Sequence, residues 1–293
     1  MSQALLSKIA DEGIEYVDIR FTDPRGKLQH VTVCADQVDQ DFLEEGFMFD
    51  GSSIAGWKSI EESDMKLMPD VDSAYVDPFY AEKTICIHCT VVEPDTGESY
   101  ARDPRGCAQR AEAYLISSGI GDVAYMGPEA EFFLFDDVRF ENKINKVSYE
   151  VDAVDASWNT DSDYDVGNMG HRPGIKGGYF PVNPIDDAQD IRSEMLSTMK
   201  RMGMKVDKHH HEVASCQHEL GLIFGSLTHQ ADELQKYKYV IHNVAHAYGK
   251  SATFMPKPIA GDNGTGMHVN MSIWKDGKPV FAGDKYADLS DEA

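Results

Sequence analysis

Two glutamates inside an apolar run constrain this chain more than any other feature. Glu129 and Glu131 lie in the segment GPEAEFFLF, whose neighbouring residues are strongly apolar, so the segment is predicted to be an interior strand. Side chains alternate along a strand, and both carboxylates would therefore lie on the same face. Two ionised carboxylates in such a place repel each other and lose hydration, which costs several kcal/mol per ion unless positive charge compensates.

Three explanations fit this pair of glutamates. Oxygen-rich sites that meet such a need usually hold Mg²⁺ or Mn²⁺. A strand end that meets solvent, or a pair neutralised by arginine and lysine, would explain the same residues. The pair alone favours a metal site no more than the other two explanations together.

The overall composition is that of a globular, strongly acidic protein. The chain has 293 residues, enough for one large domain or two ordinary ones, with 42% hydrophobic and 26% charged residues. Its 50 acidic residues exceed its 27 basic ones and give a formal net charge of -23. Such a field repels phosphate backbones and anionic lipid, so we expect no nucleic-acid and no membrane partner.

Targeting signals and disulfides are not expected. No segment approaches the roughly 20 apolar residues that a membrane-spanning helix needs. The start, MSQALLSKIADEG, lacks the pattern of a signal peptide and is predicted to be a short amphipathic helix that ends at Gly13. The five cysteines include Cys86 and Cys89, which we interpret as reduced residues packed in a strand. The protein is therefore predicted to be cytoplasmic.

Local patterns divide the chain into two predicted domains, residues 1–103 and 104–293. The first contains a β-hairpin around the turn DPRG, a loop FMFDGSSIAGW, and the strand-like segments SAYVDPFY and TICIHCTVV. Asp103 is predicted to cap a helix that begins at Pro104. In the second domain, residues 153–188 are rich in Gly, Asp, Asn and Pro, which is typical of a functional loop.

A second acidic segment, HHHEVASCQHEL, contains Glu212 and Glu219. Histidine-rich segments can bind metal. Alternation along a strand would place His209 and His211 on the face opposite Glu212, so Glu212 is favoured over these histidines as a ligand. For any single histidine, a surface or hydrogen-bonded side chain is favoured over metal ligation.

Two glycine-rich segments add weaker signals. In GDNGTGMHVNMS the glycines would let backbone N–H groups approach an anion, and His268, Asn270 and Ser272 would share one strand face with His268 pointing inward. An ordinary turn before a hairpin explains the same segment and is favoured when it is taken alone. The segment RPGIKGGYFP, with Lys176 and Tyr179, is weakly specific. Phosphate-loop and dinucleotide-binding motifs do not occur.

Six segments in the same order and spacing resemble the type I glutamine synthetase family. They are FDGSSIAGW, GPEAEFFLF, HRPGIKGGYFP, HHHEVA, YKYVIHNVAHAYGK and ATFMPKPIAGDNGTGMH. The resemblance covers essentially the whole chain. It implies an α+β protein with a small β-grasp N-terminal domain, followed by an incomplete catalytic domain with a curved antiparallel sheet flanked by helices.

The resemblance also implies a set of site residues. Two divalent ions, Mg²⁺ or Mn²⁺, would be bound, one by Glu131, Glu212 and Glu219, the other by Glu129 and His268 together with a glutamate beyond residue 293. ATP would lie near Asp207, Phe224, Asn270 and Ser272. Asn263 and Gly264 would contact L-glutamate, beside Glu131 and His268. Asp50 and Ser53 from a neighbouring subunit would form the ammonium pocket with the catalytic Tyr179 and Glu212.

The reaction implied is the ATP-dependent ligation of ammonia to L-glutamate through γ-glutamyl phosphate, which gives L-glutamine. The family forms homo-oligomers of two stacked hexameric rings. Two alternatives are a γ-glutamyl amine or polyamine ligase of the same family and a non-catalytic metal-binding fragment. Asp50 and Ser53 favour ammonia, because a carboxylate suits a small cation.

Three departures from the family pattern affect these expectations. Asn270 stands where many members have a second histidine. The stretch between Glu212 and Glu219 is one residue shorter than in some relatives, so Glu219 is matched through its Q-H-E context. The C-terminal segments that carry further arginine and glutamate residues are missing. We therefore expect these 293 residues alone to bind Mn²⁺ weakly and to make no glutamine.

Overall fold

The computed structural model describes residues 2–158 and 170–293. The chain forms two compact units, and each is built from segments that alternate along the sequence. Unit 1 comprises Met1–Met126, Gly225–Gln235 and Met271–Ala293, and unit 2 comprises Gly127–Phe224 and Lys236–Asn270. The helices and strands together confirm the predicted α+β class. None of the helices in the described residues is both long enough and apolar enough to span a membrane.

Unit 1 is built on a mixed six-stranded sheet that follows helix α1. In chain order its elements are α1 (Ser2–Asp11), β1 (Tyr16–Thr22), β2 (Leu28–Cys34), α2 (Gln40–Glu45), β3 (Phe47–Asp50), β4 (Asp64–Pro69), β5 (Tyr75–Val76), β6 (Thr84–Val92) and α3 (Pro104–Ser118). The sheet order is β2-β1-β6-β4-β3, and β5 pairs with β6. Strand β1 runs antiparallel to β2, as the predicted hairpin requires, and parallel to β6.

The nine-residue strand β6 organises this sheet. Its first half pairs with β1 and β5, and its second half pairs with β4. Most of its side chains are buried, including those of Cys86 and Cys89, which are free thiols. Burial raises the pKa of both thiols far above the ordinary value, because the charged thiolate is poorly solvated there. The interpretation of these cysteines as packed, reduced residues is confirmed.

Helix α3 begins and ends where the sequence predicts. The carboxylate of Asp103 accepts hydrogen bonds from the backbone N–H groups of Arg105, at 3.2 Å, and Gly106, at 2.9 Å. Pro104 occupies the first turn, and Gly119 closes the helix in the left-handed conformation. Asp103 is fully buried and also accepts a hydrogen bond from the N–H of Val91 in β6, at 3.0 Å. One side chain thus fixes both the helix start and the end of a central strand.

A second sheet has the order β13-β7-β15-β16. Its strands are β7 (Val123–Glu129), β13 (Gly225–Ser226), β15 (His268–Lys275) and β16 (Lys278–Pro279). Along the chain, β7 leads from unit 1 into unit 2, and β15 leads back. The hairpin of β15 and β16 turns at Asp276 and Gly277, whose φ angles of 49° and 72° are those of a type I′ turn.

Unit 2 contains an antiparallel sheet of order β11-β12-β8-β14. Its elements are β8 (Glu131–Phe135), β9 (Asp137–Lys143), β10 (Lys146–Asp152), α4 (Gln189–Arg201), β11 (Val206–His211), β12 (Gln217–Leu222) and β14 (Ser251–Thr253), and α5 (Leu227–Ala247) enters it from residue 236. Strands β9 and β10 form a separate hairpin. Phe133, Phe135 and Cys216 belong to a buried apolar cluster beside the sheet.

Some local predictions are wrong. The segment FMFDGSSIAGW, predicted as a loop, contains strand β3 and a 3₁₀ turn at Gly51–Ser53, and SAYVDPFY is a strand only at Tyr75–Val76. Glu129 and Glu131 do not share one strand, because β7 ends at Glu129 and β8 begins at Glu131. The chain changes sheets at Ala130, so alternation within a single strand does not relate the two carboxylates.

Two predictions on chain organisation have different outcomes. Residues 159–169 of the predicted functional loop 153–188 lie outside the described residues, and the described remainder contains no helix or strand. The division into domains at residues 103 and 104 stays a prediction.

Replacing Asp103 by alanine is expected to destabilise the fold. The change removes a helix cap, worth about 0.5–2 kcal/mol, and leaves the buried N–H of Val91 without its acceptor, at about 1–3 kcal/mol. The combined loss of about 2–4 kcal/mol would be measured by urea unfolding. Asp39→Ala is the matched control, because Asp39 caps the short helix α2 at the surface, and it should cost less than half as much. Equal losses in the two variants would contradict this explanation.

Candidate functional site

Three neighbouring strands place acidic and imidazole side chains in one row. In the register of unit 2, His210 of β11 lies opposite Glu219 of β12, and Glu219 lies opposite Glu131 of β8. Directly opposed residues of antiparallel strands project from the same face, so the three side chains form a row across the sheet. Glu212, the first residue after β11, lies beside His210 at the end of this row.

Distances show how closely this row is gathered. His210 Nε2 lies 2.7 Å from Glu212 Oε1 and 3.8 Å from Glu219 Oε2. One ligand atom from each of His210, Glu212 and Glu219 lies within 4.8 Å of the other two, the only such group of three or more in the described part of the chain. Glu131 flanks this group and is held by a 2.6 Å hydrogen bond from Gln217 Nε2 to its Oε2.

The carboxyl groups of this row differ in the direction of their pKa shifts. Burial, together with repulsion from Glu212 and Glu219, raises the pKa of Glu131 to about 7. Burial also raises the pKa of Glu219, to which Glu212 and Glu129 add negative potential. Burial acts in the same direction on Glu212, but hydrogen bonds from His210 and from the N–H of Val213 outweigh it and lower its pKa. Glu212 is thus the carboxylate that most readily stays ionised.

A buried tyrosine forms hydrogen bonds to the backbone next to Glu129, Glu131 and Glu219. The hydroxyl group of Tyr237, in α5, donates a 2.6 Å hydrogen bond to the carbonyl of Ala130 and accepts one of 3.2 Å from the N–H of Leu220. Ala130 lies between Glu129 and Glu131, and Leu220 follows Glu219. Tyr237 is fully buried, so water cannot replace these bonds. The tyrosine therefore fixes where the chain turns from β7 into β8 relative to β12.

Glu129 is approached by two residues of β15. Asn270 Nδ2 donates a 3.0 Å hydrogen bond to Glu129 Oε1, and His268 Nδ1 lies 3.6 Å from Glu129 Oε2. The predicted sharing of one strand face by His268 and Asn270 fits this arrangement. The side chain of His268 is 78% exposed, so it faces an open space rather than the interior.

A cavity of about 220 Å³ adjoins these groups within unit 2. Its lining includes Glu129 and Glu219 together with three of the four residues predicted near a nucleotide, Asp207, Phe224 and Asn270. The fourth, Ser272, belongs to unit 1, where its Oγ accepts a 3.0 Å hydrogen bond from Trp274 Nε1. The lining combines carboxylates with apolar side chains, which suits a ligand that carries both charged and apolar groups.

The two glycine-rich segments of unit 2 meet at a buried carboxylate. Asp262, only 2% exposed, accepts hydrogen bonds from the backbone N–H groups of Lys176, at 3.0 Å, Asn263, at 2.9 Å, and Ser215, at 3.3 Å. The ammonium group of Lys176 donates a further 3.0 Å bond to Asn263 Oδ1. Both loops are therefore held in one arrangement around Asn263.

Gln217 joins one of these loops to the acidic row. Its Nε2 donates to the carbonyl of Gly264, at 3.1 Å, as well as to Glu131. A side chain at position 264 would lie 2.3 Å from the carbonyl oxygen of Pro256, so only glycine allows this close packing. The predicted substrate residues Asn263 and Gly264 thus lie beside Glu131.

Tyr179 contacts His210. The N–H of Gly178 donates a 3.0 Å bond to the carbonyl of Val213, and a side chain on Gly178 would lie 2.6 Å from the carbonyl oxygen of Glu212. Glycine therefore lets this loop approach the strand end closely. The Tyr179 ring stacks on Phe180 and meets the His210 ring edge-on, with centroids 5.8 Å apart. This brings Tyr179 to the group that contains Glu212.

Asp50 and Ser53 belong to unit 1. Asp50 Oδ1 accepts bonds from Ser52, 2.8 Å from its N–H and 2.6 Å from its hydroxyl, and Ser53 Oγ lies 3.3 Å from Asp50 Oδ2. The hydrogen bonds from Ser52, aided by those from Ser53, lower the pKa of Asp50. Asp50 is an exposed, ionised carboxylate, and its place in an ammonium pocket stays a prediction.

Sequence reasoning missed two residues of the site, His210 and Gln217. Alternation places His209 and His211 on the face opposite Glu212, as the structure shows. The same rule places His210 on the face of Glu212, so the sequence did contain a signal for His210. His209 bonds with Arg192 and Ser193, and His211 with Asp155. Gln217 carries no sequence signal of its own, because its role depends on the register between β12 and β8.

The donor set fits a hard divalent cation. Carboxylate oxygens with one or two imidazoles are ligands that Mg²⁺ and Mn²⁺ accept. The raised pKa values of Glu131 and Glu219 mean that negative charge is under-compensated there, which a bound cation would relieve. The residues present therefore fit the divalent ions that the sequence implies.

Replacing Tyr237 by phenylalanine is expected to lower stability and weaken Mn²⁺ binding. The change leaves two buried backbone groups unpaired, at about 1–3 kcal/mol each. It also removes the hydrogen bond that holds Ala130, the residue between Glu129 and Glu131. Thermal unfolding and Mn²⁺ titration measure the two effects. Tyr248→Phe is the matched control, because the Tyr248 hydroxyl bonds only to the exposed Glu194 among the contacts described. Unchanged metal affinity in Tyr237→Phe would contradict the anchoring role.

Without metal, the contribution of Glu131 to the unfolding free energy is expected to fall as pH rises from about 4.5 to about 7. In the unfolded chain Glu131 loses its proton near 4.5, whereas in the folded chain it keeps the proton up to about 7, so this residue binds more proton in the folded state across this window. Glu131→Gln should remove this contribution, so the unfolding free energy of the unaltered chain minus that of the variant should fall across the window. Denaturant unfolding at several pH values tests this, and parallel curves for both proteins would refute it.

Comparisons with known proteins agree with this geometry. The family model "Glutamine synthetase, catalytic domain" matches residues 101–293, and "Glutamine synthetase, beta-Grasp domain" matches residues 13–94. The β-grasp expectation for the N-terminal domain is thereby confirmed.

Curated relatives and a solved structure give the same result. "Glutamine synthetase" of Rhodobacter capsulatus is 76% identical over 96% of this chain and 64% of its own length, and that of Cereibacter sphaeroides is 75% identical over 98% and 62%. The structure "CryoEM Plasmodium falciparum glutamine synthetase" has a TM-score of 0.92 and 28% identity, and covers all of this chain and 58% of its own. The chain thus spans less than two thirds of the length of the curated relatives it matches. Because one family model alone matches more than half of its residues, the chain belongs to the glutamine synthetase family.

Proposed function

We propose that this chain is part of a glutamate–ammonia ligase, which joins ammonium to L-glutamate at the expense of ATP and gives L-glutamine. The observation that carries the proposal is the row of His210, Glu219 and Glu131, ended by Glu212, beside a cavity lined by carboxylates and apolar side chains. The names of relatives at 75–76% identity support the same reaction.

The first chemical step is phosphoryl transfer. The γ-carboxylate of glutamate is a poor electrophile until it is converted to γ-glutamyl phosphate by attack on the γ-phosphate of ATP. Two Mg²⁺ or Mn²⁺ ions, when bound, neutralise charge on the phosphates and hold the reactants in line. Glu131, Glu212 and Glu219 would hold one ion, and Glu129 and His268 the other.

The substrates would occupy the two sides of these ligands. ATP would lie in the cavity lined by Asp207, Phe224 and Asn270, with Ser272 as the fourth predicted contact. L-Glutamate would lie near Asn263 and Gly264, which Lys176 and Gln217 position through hydrogen bonds. Glu131 and His268 are the remaining predicted substrate contacts.

The second step needs ammonia rather than ammonium. Glu212, whose pKa is lowered by His210 and by the N–H of Val213 against the effect of burial, keeps a negative charge that attracts NH₄⁺. Tyr179 lies across His210 from it, and Asp50 and Ser53 of a neighbouring subunit would complete the pocket. Removal of a proton from bound ammonium then makes the nucleophile that displaces phosphate.

We propose further that the protein is cytoplasmic and acts as a homo-oligomer of two stacked hexameric rings. Such an assembly would supply Asp50 and Ser53 from the adjacent subunit. The net charge of -23 gives no basis for a nucleic-acid partner.

The activity can be tested in a chimera that joins residues 1–293 to the remaining C-terminal part of the Rhodobacter capsulatus relative. With Mn²⁺, ATP, glutamate and ammonium it should release ADP and form glutamine, detected by mass spectrometry. Glu212→Gln should lower kcat about 100-fold or more, because a group that binds metal and attracts ammonium is lost. Residues 1–293 alone should form no glutamine.

Two comparisons make this experiment specific. Glu150→Gln, in the exposed hairpin of β9 and β10, is the control and should keep full activity. Polyamines tested in place of ammonium should not release ADP. ADP release with polyamines but not with ammonium would reject the ammonia ligase in favour of an amine ligase, and a chimera without either activity would reject both.

A further inference from the structure

The cavity beside Glu129 is lined partly by a glycine. Its lining combines the carboxylates of Glu129 and Glu219 with the apolar residues Leu222, Ile223 and Phe224. Phe224 is 63% exposed. Gly127, in β7, also lines the cavity and has no side chain to fill it.

The fold itself does not require glycine at position 127. Its backbone is outside the left-handed region, so an L-residue would not be strained. A methyl group built on Gly127 would lie 3.6 Å from Phe224 Cβ and 3.8 Å from Asn270 Cβ, which are ordinary van der Waals distances. Alanine would therefore fit, and its methyl group would project among cavity-lining residues.

A second glycine of the same cavity behaves differently. A methyl group on Gly221 would lie 2.0 Å from Asp207 Oδ1 and 3.0 Å from Lys208 Cγ. A methyl group at 221 would therefore force the exposed Asp207 side chain away from its place across β12. Position 221 is thus covered by a neighbouring side chain, whereas position 127 leaves space in the cavity.

The direction of a side chain at position 127 is set by alternation. Gly127 and Glu129 are two residues apart on β7 and therefore project from the same face. A side chain at 127 would therefore lie on the same face as Glu129 and in contact with Phe224 Cβ. A ligand that contacts both Glu129 and Phe224 would lie against this position.

We propose that Gly127 is a residue of the nucleotide site, where its lack of a side chain keeps the cavity open for a nucleoside triphosphate. This inference rests on the proposed function, because it takes the ligand to be the ATP of the ligase. The polyphosphate lies towards Glu129, the base lies towards Phe224, and the part of the ligand between them lies over Gly127. Any added side chain competes with the ligand for this space.

Titration of the chimera described above, which joins residues 1–293 to the C-terminal part of the Rhodobacter capsulatus relative, with a nonhydrolysable ATP analogue in the presence of Mn²⁺ tests the assignment. Gly127→Ala should weaken binding of the analogue about tenfold, which corresponds to about 1.4 kcal/mol, and Gly127→Val should weaken it further. The thermal midpoint and the Mn²⁺ affinity measured without nucleotide should stay unchanged, since the methyl group meets no atom of the folded chain closely. Gly221→Ala is the comparison and should lower the thermal midpoint.

Each outcome decides the question. Analogue affinity in Gly127→Ala within a factor of about two of the chimera without substitutions overturns the role of Gly127 and leaves the ligase proposal intact. An equal loss of nucleotide affinity, Mn²⁺ affinity and thermal stability also overturns it, because that is the signature of misfolding. If the chimera without substitutions binds Mn²⁺ but no analogue, both this inference and the nucleotide site of the ligase are rejected.

Discussion

Like-charged side chains held side by side by backbone hydrogen bonds are the constraint on which the site depends. The pairing of β12 with β8 places Glu219 directly opposite Glu131, an arrangement that destabilises an ordinary sheet. The strands tolerate it because the flanking residues, such as Phe132 and Phe133, are fully buried and fix the register. Apolar packing thus supplies the free energy that keeps the carboxylates together.

Single buried polar groups perform the finer positioning. Tyr237 bonds to the backbone beside Glu129, Glu131 and Glu219, and Gln217 links Glu131 to the loop at Gly264. Gln217 donates to two acceptors that are far apart in sequence, and Tyr237 bonds to a donor and an acceptor that are far apart in sequence. A site built in this way keeps its geometry through groups that need not touch a substrate.

Much of the fold could be predicted from the sequence, since its signals are local. The helix cap at Asp103 with Pro104 and the hairpin around the turn DPRG each depend on residues a few positions apart. The break between β7 and β8 could not be predicted, because it depends on the hydroxyl group of Tyr237, more than a hundred residues away. The strand β3 was missed for a similar reason, since its pairing partner β4 gives it its conformation.

The site residues divide in the same way. Glu212 and Glu219 were identifiable from an acidic pattern next to strand-like segments. The alternation rule could have predicted that His210 shares a face with Glu212. Gln217 and Asp262 act through hydrogen bonds between strands or between loops, which the sequence does not show. The family resemblance placed Asp207, Phe224 and Asn270, which no single-sequence pattern distinguishes from ordinary strand and loop residues.

The carboxylate of Asp262 has a consequence for motion. Because it receives N–H groups from three separate stretches of chain, at Lys176, Ser215 and Asn263, none of these stretches can swing away without breaking bonds shared with the others. Local opening of the chain around Asn263 is therefore expected to displace all three stretches together, because they share one buried hydrogen-bond acceptor.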